Sequence, residues 1–383
     1  MRDKIVIFNK ELPNKFFLGV LSVMPAIALI NSSNIQFSKA VLIVELLILL
    51  AMTAFNYNTI NKKELIILML NSFSLVMTLG SHSAFGSAVM FINTLLCFKL
   101  FNNIIIEKRT FISIHITNGV LISIYVFLIE RPLYTGNTIT DAFNNRVNTN
   151  MISILYLCAF LHLACVIVSV IDKKMVRWSL LIILGGIYGE SIWFYEARSA
   201  MISMIVFVVL IVVAVKKKLS YIKYKKICTI ILVFSLAFPF IYLAVFKMIG
   251  ISELFGKGIG TRAVVWKNCI DLIKQYPIWG NGNDMLVVMN ANGKLSYSMH
   301  NTLLSVWKVL GIIPTVTFII SCIQHDNHEY DEKRNIIAQI TFISTLPVCF
   351  FESFYTEELL YMAFLPFLIT NVKEKADESR WIE

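Results

Sequence analysis

Hydrophobic positions along the chain gather into long runs separated by short polar breaks. A run of roughly 17–25 apolar residues is long enough to cross a bilayer as a helix. About twelve such runs can be read, near 16–31, 38–56, 64–80, 83–98, 110–129, 150–171, 177–196, 198–215, 227–249, 301–322, 335–352 and 355–371. The stretches from Leu42 to Met52 and from Met201 to Val215 are the purest. The run at 83–98, with Asn93 inside it and Lys99 beside it, is the weakest, together with the closely joined last two. The expected fold is an all-α polytopic membrane protein of about 12 transmembrane helices, with residues 1–383 forming a single integral membrane domain.

Composition supports this reading. Of the 383 residues, 57% are hydrophobic and 15% charged, and the mean hydropathy is +0.72. A soluble chain of that length cannot bury so large an apolar share. Residues Met1 to Lys15 are charged throughout and no small-residue cleavage site follows, so no cleavable signal peptide is expected.

Charge sets the orientation. With twelve spans both termini share a side, and roughly 23 of the 34 Lys and Arg fall on that side. Both termini are therefore expected in the cytoplasm. The net charge of +10 reads as a topology signal and an attraction to anionic lipid, with no nucleic-acid partner needed. Six of the seven cysteines lie in or beside apolar runs, and Cys269 has no loop partner, so no disulfide framework is indicated.

Two outer segments are too long to be simple turns. The smaller, 130–149, is polar and rich in Asn and Thr; the larger, 250–300, has the size of a functional loop. Within the larger, Trp266, Cys269, Ile270, Ile273 and Tyr276 recur at helical spacing, with Lys267, Asp271, Lys274 and Gln275 on the other face. This predicts an amphipathic helix lying at the outer membrane face, with Thr261 as its N-cap and Pro277 as its stop.

Candidate chemistry sits at the outer rim. Arg198 falls at the break between two spans, and Arg262 in the predicted first turn of the loop helix, beside unpaired N–H groups. Two guanidiniums on one face suit a diphosphate. The plainer alternative makes them span anchors or partners of Glu196, Glu253 or Asp284. His300 is a candidate general base, or else an interfacial hydrogen-bonding residue, with His82 as the rival base. Asn301 is placed to cap the next helix or to bond a substrate. His325 and His328 have metal-like spacing but read as part of a solvated cytoplasmic loop, so no metal site is expected. Glu45, Glu190 and Lys308 lie within spans and should face the bundle interior, with a Lys308–glutamate ion pair as the favoured arrangement.

The ordered set Arg198-Ser199, Arg262, Trp266, Pro277, Gly280, Gly282, His300-Asn301 and Gly311 resembles the O-antigen polymerase and O-antigen ligase superfamily of bacterial surface-polysaccharide assembly. The likeness covers roughly 185–315. It implies a GT-C-like glycosyltransferase in the bacterial cytoplasmic membrane, acting at the outer face on glycans carried by undecaprenyl diphosphate, with no cofactor or metal. It further implies diphosphate binding by Arg198 and Arg262 and catalysis by His300. Trp266, Gly280, Gly282, Asn301 and His82 become candidate substrate contacts, and a chain-length regulator and a flippase the implied protein partners. Polymerisation of repeat units is the favoured activity; ligation to lipid A core, lipid-linked oligosaccharide transport and a non-catalytic scaffold are the alternatives.

Overall fold

A computed structural model describes residues 19–20, 35–55, 62–81, 89, 91–92, 95–96, 105–106, 108–131, 139–140, 146–147, 149–217, 221–249, 256–282, 288–289, 295–296, 300–323, 332–351, 366–368, 370 and 373–374. Among them the chain is helical apart from three two-residue strand pairs. The helices are α1 (Ile35–Phe55), α2 (Lys62–Ser81), α3 (Lys108–Ile124), α4 (Thr149–Val170), α5 (Lys174–Phe194), α6 (Arg198–Lys217), α7 (Tyr221–Ile249), α8 (Gly256–Gln275), α9 (Thr302–Leu310), α10 (Ile312–Ile323) and α11 (Glu332–Phe351). A π-helical turn, Tyr125–Glu130, extends α3. Strand β1 (Ile105–Ile106) pairs in parallel with β6 (Lys373–Glu374). Hairpins join β2 (Ile139–Thr140) to β3 (Arg146–Val147) and β4 (Val288–Met289) to β5 (Leu295–Ser296), one in each outer loop.

The solvent of this bundle is lipid. Ile182, Ile230 and Val76 are 71%, 66% and 65% exposed on their helices. In water each would forgo roughly 1.5–3 kcal/mol of burial; against hydrocarbon they lose nothing. Among the described residues, five segments are long and apolar enough to cross a membrane: Lys108–Leu128, Ile152–Val170, Lys174–Phe194, Arg198–Val215 and Ile222–Ala244. Shorter apolar helices lie at Ile43–Ala54, Leu65–Met77, Ile312–Ile323 and Asn335–Phe351. The chain is a multi-pass membrane protein. The runs near 16–31, 83–98 and 355–371 fall largely outside the described residues.

One expected span is interrupted. The run at 301–322 is two helices, α9 and α10, separated at Gly311. At about 1.5 Å per residue neither half reaches across a bilayer.

The core is organised around α4, which packs against α3, α5, α6 and α11, while α11 also lies along α6 and α7. Its residues Ile152 to Leu161 are all buried. Two buried histidines that the sequence did not single out, His115 on α3 and His162 on α4, meet Nδ1 to Nδ1 at 2.9 Å. A contact of that kind needs one ring as donor and the other as acceptor, so it fixes complementary tautomers across the helix pair. Of the in-span ionisable residues, Glu45 and Lys308 do face the interior, at 5% and 1% exposure. Glu190 does not: it is exposed and ion-paired to Arg131 at 2.8 Å. Lys308 Nζ donates to the Gly282 carbonyl at 3.0 Å, a backbone partner that the favoured ion pair did not foresee.

Candidate functional site

The break at Gly311 governs the site, and its hydrogen bonds can be counted completely. A helix leaves its last four carbonyls without helical partners. In α9 these belong to Trp307, Lys308, Val309 and Leu310. Gly311 N–H donates to Trp307 O at 2.8 Å, Asn281 N–H to Lys308 O at 2.8 Å, and Gly282 N–H to Val309 O at 3.1 Å. Leu310 O loses its donor because Pro314, four residues on, has no N–H; Ser74 Oγ on α2 donates to it at 3.5 Å. All four carbonyls are paired, so the break is built into the fold.

The partner that supplies two of those donors is the turn Tyr276–Gly282. Trp307 Nε1 donates to Pro277 O at 2.9 Å and Ile312 N–H to the same carbonyl at 3.3 Å. Gly280 has φ +71°, and a Cβ there would lie 2.5 Å from the Val309 carbonyl carbon. Gly311 has φ +92° and packs against the Ile278 carbonyl so closely that a Cβ has no room. Gly282, at φ +64°, carries the carbonyl that receives Lys308. These glycines let backbone meet backbone. Gly280 and Gly282, expected as substrate contacts, are both buried and take part in this backbone packing.

Helix α8 has the predicted amphipathic faces. Trp266, Cys269, Ile270 and Ile273 are buried, while Lys267, Asp271, Lys274 and Gln275 are exposed. Tyr276 departs from the pattern at 37% exposure. The apolar face docks on α7, with the Trp266 ring edge-on to Phe238 and Tyr242 at 5.8 and 5.7 Å. Trp266, expected as a candidate substrate contact, is 1% exposed and packs α8 against α7. Burial pushes the Cys269 thiol up to about 12. An open groove of about 480 Å³ lies beside α8, lined by Phe240, Leu243, Ile270 and Trp307 and also by Lys267 and Lys274.

The start of α8 differs from expectation. The helix begins at Gly256, five residues before Thr261, so Arg262 stands about 9 Å along it. The first-turn N–H groups therefore belong to the glycine-rich segment, more than a turn away from Arg262. The Arg262 guanidinium carbon lies 5.5 Å from the Phe351 ring centroid, a cation–π contact at the end of α11. Arg198 has what Arg262 was expected to have. It is the first residue of α6 and is exposed, after a turn in which Glu196 takes φ +55°.

His300 and Asn301 divide the roles expected of them. Asn301 is fully buried and caps α9, its Oδ1 accepting from Leu304 N–H at 2.9 Å. Its Nδ2 donates to Ser235 O at 3.0 Å and Phe350 O at 3.4 Å. Both N–H donors of its amide are thus engaged within the protein. His300 is half-buried and has φ +49°. A non-glycine residue held there is strained by roughly 1–3 kcal/mol, a cost that tends to persist at functional positions. His300 thus projects from a backbone fixed on its C-terminal side by Asn301.

The structure brings Arg262 and the His300–Asn301 pair to one place, the Phe350–Phe351 end of α11. Arg198 stands on α6, which packs along α11. His82, Glu253, Asp284, His325 and His328 lie outside the described residues. Among the described residues no group of three His, Cys, Asp or Glu is disposed to hold a metal ion.

Residues 191–319 match the O-antigen ligase family. About a third of the chain is covered, and the matched segment runs from the end of α5 to α10. The match supports a likeness of this stretch to the O-antigen ligase and polymerase superfamily, whose members are glycosyltransferase-like enzymes. No curated protein and no solved structure matches the chain.

Proposed function

We propose that this protein, with its O-antigen ligase domain at residues 191–319, is a surface-polysaccharide polymerase of the bacterial cytoplasmic membrane. It joins oligosaccharide repeat units carried on undecaprenyl diphosphate, at the outer face, with both termini in the cytoplasm. In this reading the bundle is GT-C-like with about twelve spans. The observation that carries the proposal is that Arg262 and Asn301, the residue after His300, both reach the Phe350–Phe351 end of α11, and that all three residues belong to the matched segment.

The residues support a definite division of labour. Arg198, with the open N–H groups of the first turn of α6, and Arg262 hold the donor diphosphate. As the anomeric C–O bond breaks, its electron pair leaves with the diphosphate, and two guanidiniums stabilise that charge without calling on a divalent ion. The acceptor hydroxyl attacks the anomeric carbon and His300 takes its proton. The groove beside α8 is apolar enough for an isoprenoid tail and has Lys267 for an anionic head, while Lys274 pairs with Asp271 in the same lining. A growing chain is thereby moved from its carrier onto the next lipid-linked repeat, with a chain-length regulator and a flippase as protein partners.

Ligation of the finished glycan to lipid A core is the second reading, favoured by the family description of the matched segment. The two differ in what accumulates when His300→Ala is expressed in place of the wild type. Loss of polymerase activity leaves single lipid-linked repeats; loss of ligase activity leaves long lipid-linked chains. Normal long-chain surface polysaccharide from that strain would contradict both.

A further inference from the structure

The smaller outer loop has no part in the chemistry above, yet the structure fixes its first residues with unusual care. The π-helical turn Tyr125–Glu130 ends at Arg131, whose N–H bonds back to Val126 O. Such a turn inserts one residue, rotates the backbone beyond it, and is found mostly at functional places. Here it aims Arg131 at α5. The guanidinium donates to Glu190 Oε1 at 2.8 Å and Ser191 Oγ at 3.3 Å, and its carbon lies 5.2 Å from the Phe194 ring centroid.

Glu190, Trp193 and Phe194 are three and four residues apart, so they share one face of α5. Trp193 is 75% exposed. Glu196 N–H closes the turn onto Trp193 O at 2.9 Å, and Glu196 itself is exposed in the left-handed region. Two residues on comes Arg198. The result is a flat indole, a braced arginine and two carboxylates on one rim.

From this geometry we infer that Arg131, Glu190, Trp193 and Glu196 form a saccharide-binding subsite for the reducing-end sugars of the lipid-linked glycan. A sugar ring has one face of C–H groups and an edge of hydroxyls. The indole face receives the first; carboxylates and a guanidinium receive the second as charge-assisted hydrogen bonds. The rim adjoins Arg198, so a glycan seated there leaves its diphosphate at that guanidinium. This inference rests on the polymerase reading for the identity of the sugar.

The test uses the purified full-length protein in lipid nanodiscs. The probe is lipid-free oligosaccharide made by mild acid hydrolysis of the host's own surface polysaccharide, titrated by saturation-transfer NMR. Wild type and His300→Ala are expected to bind it equally. Trp193→Leu, which keeps an apolar side chain but removes the indole face, and Glu190→Gln, which weakens the Arg131 brace, should each bind at least fivefold more weakly with unchanged melting temperature. Failure of the wild type to bind, or binding by both variants within twofold of it, overturns the subsite. The polymerase reading fails separately, if cells carrying His300→Ala still make long polysaccharide.

Discussion

Asn301 completes a hydrogen bond that Pro239 leaves open. Proline at 239 has no N–H to give to the carbonyl four residues back, which is Ser235. Asn301 Nδ2 donates to that carbonyl at 3.0 Å, and also to Phe350 O in the last turn of α11. One amide thus ties three helices, through carbonyls of α7 and α11 and the Leu304 N–H of α9. The residue before it is His300.

Replacing Asn301 by alanine removes an N-cap and leaves two buried carbonyls without their donor. The cap alone is worth about 0.5–2 kcal/mol, and each orphaned group about 1–3 kcal/mol. We expect Asn301→Ala to lower the melting temperature in detergent clearly and to abolish activity. Asn301→Asp keeps the cap acceptor but loses both donations, and should fall between alanine and wild type in stability. A melting temperature of Asn301→Ala equal to that of wild type would remove the three-helix tie from the account.

Gly311 cannot be replaced without moving the turn. Its φ of +92° and the Ile278 carbonyl against it leave no place for a methyl group. Gly311→Ala is expected to destabilise by roughly 1–3 kcal/mol and to lower the yield of folded protein from the membrane. As a control, Gly185→Ala on α5 meets nothing within 4 Å and should be tolerated.

Lys308 is a buried latch. Its Nζ donates to Gly282 O, while Gly282 N–H donates to Val309 O on the same helix as Lys308. Lys308→Met keeps most of the volume and drops the donor. The expected outcome is an assembled protein with turnover reduced at least tenfold. Full turnover by Lys308→Met would show that the turn Tyr276–Gly282 needs no anchoring from below.

Much of this was legible in the sequence, and the misses have physical causes. The amphipathic face of α8 was readable because Trp266, Cys269, Ile270 and Ile273 obey helical spacing and all four bury. The cap at Asn301 could be read from its place before an apolar run. The break at Gly311 was lost because hydropathy averages over a window, although glycine with a proline three residues later is a helix-stop signal. That the apolar face of α8 docks on α7, with Trp266 against Phe238 and Tyr242, had no signal in the spacing. Glu190 was expected inside because its partner, Arg131, is 59 residues away in sequence. Pairings of that kind, like the one between His115 and His162, are set by helix packing and leave no local pattern.

Cys269 gives a chemical probe of how α8 sits. Burial against α7 raises its thiol pKa from 9.0 to about 12, so almost none is thiolate near neutral pH. We expect maleimide at pH 7.5 to leave Cys269 unmodified in the folded protein and to modify it once detergent is replaced by denaturant. Because the folded value is the higher one, the protonated thiol favours the folded state. This contribution to stability is whole below pH 9 and is lost as pH climbs toward 12. Rapid labelling of Cys269 at neutral pH would mean that α8 stands away from the bundle.

The most direct test of the central claim is reconstitution. Purified protein in proteoliposomes is supplied with undecaprenyl-diphosphate-linked repeat units in the presence of a divalent-ion chelator, and products are resolved by size. The account predicts a ladder of lengthened lipid-linked glycans from the wild type and none from His300→Ala or Arg262→Ala. No ladder from the wild type, or an undiminished one from His300→Ala, would contradict it.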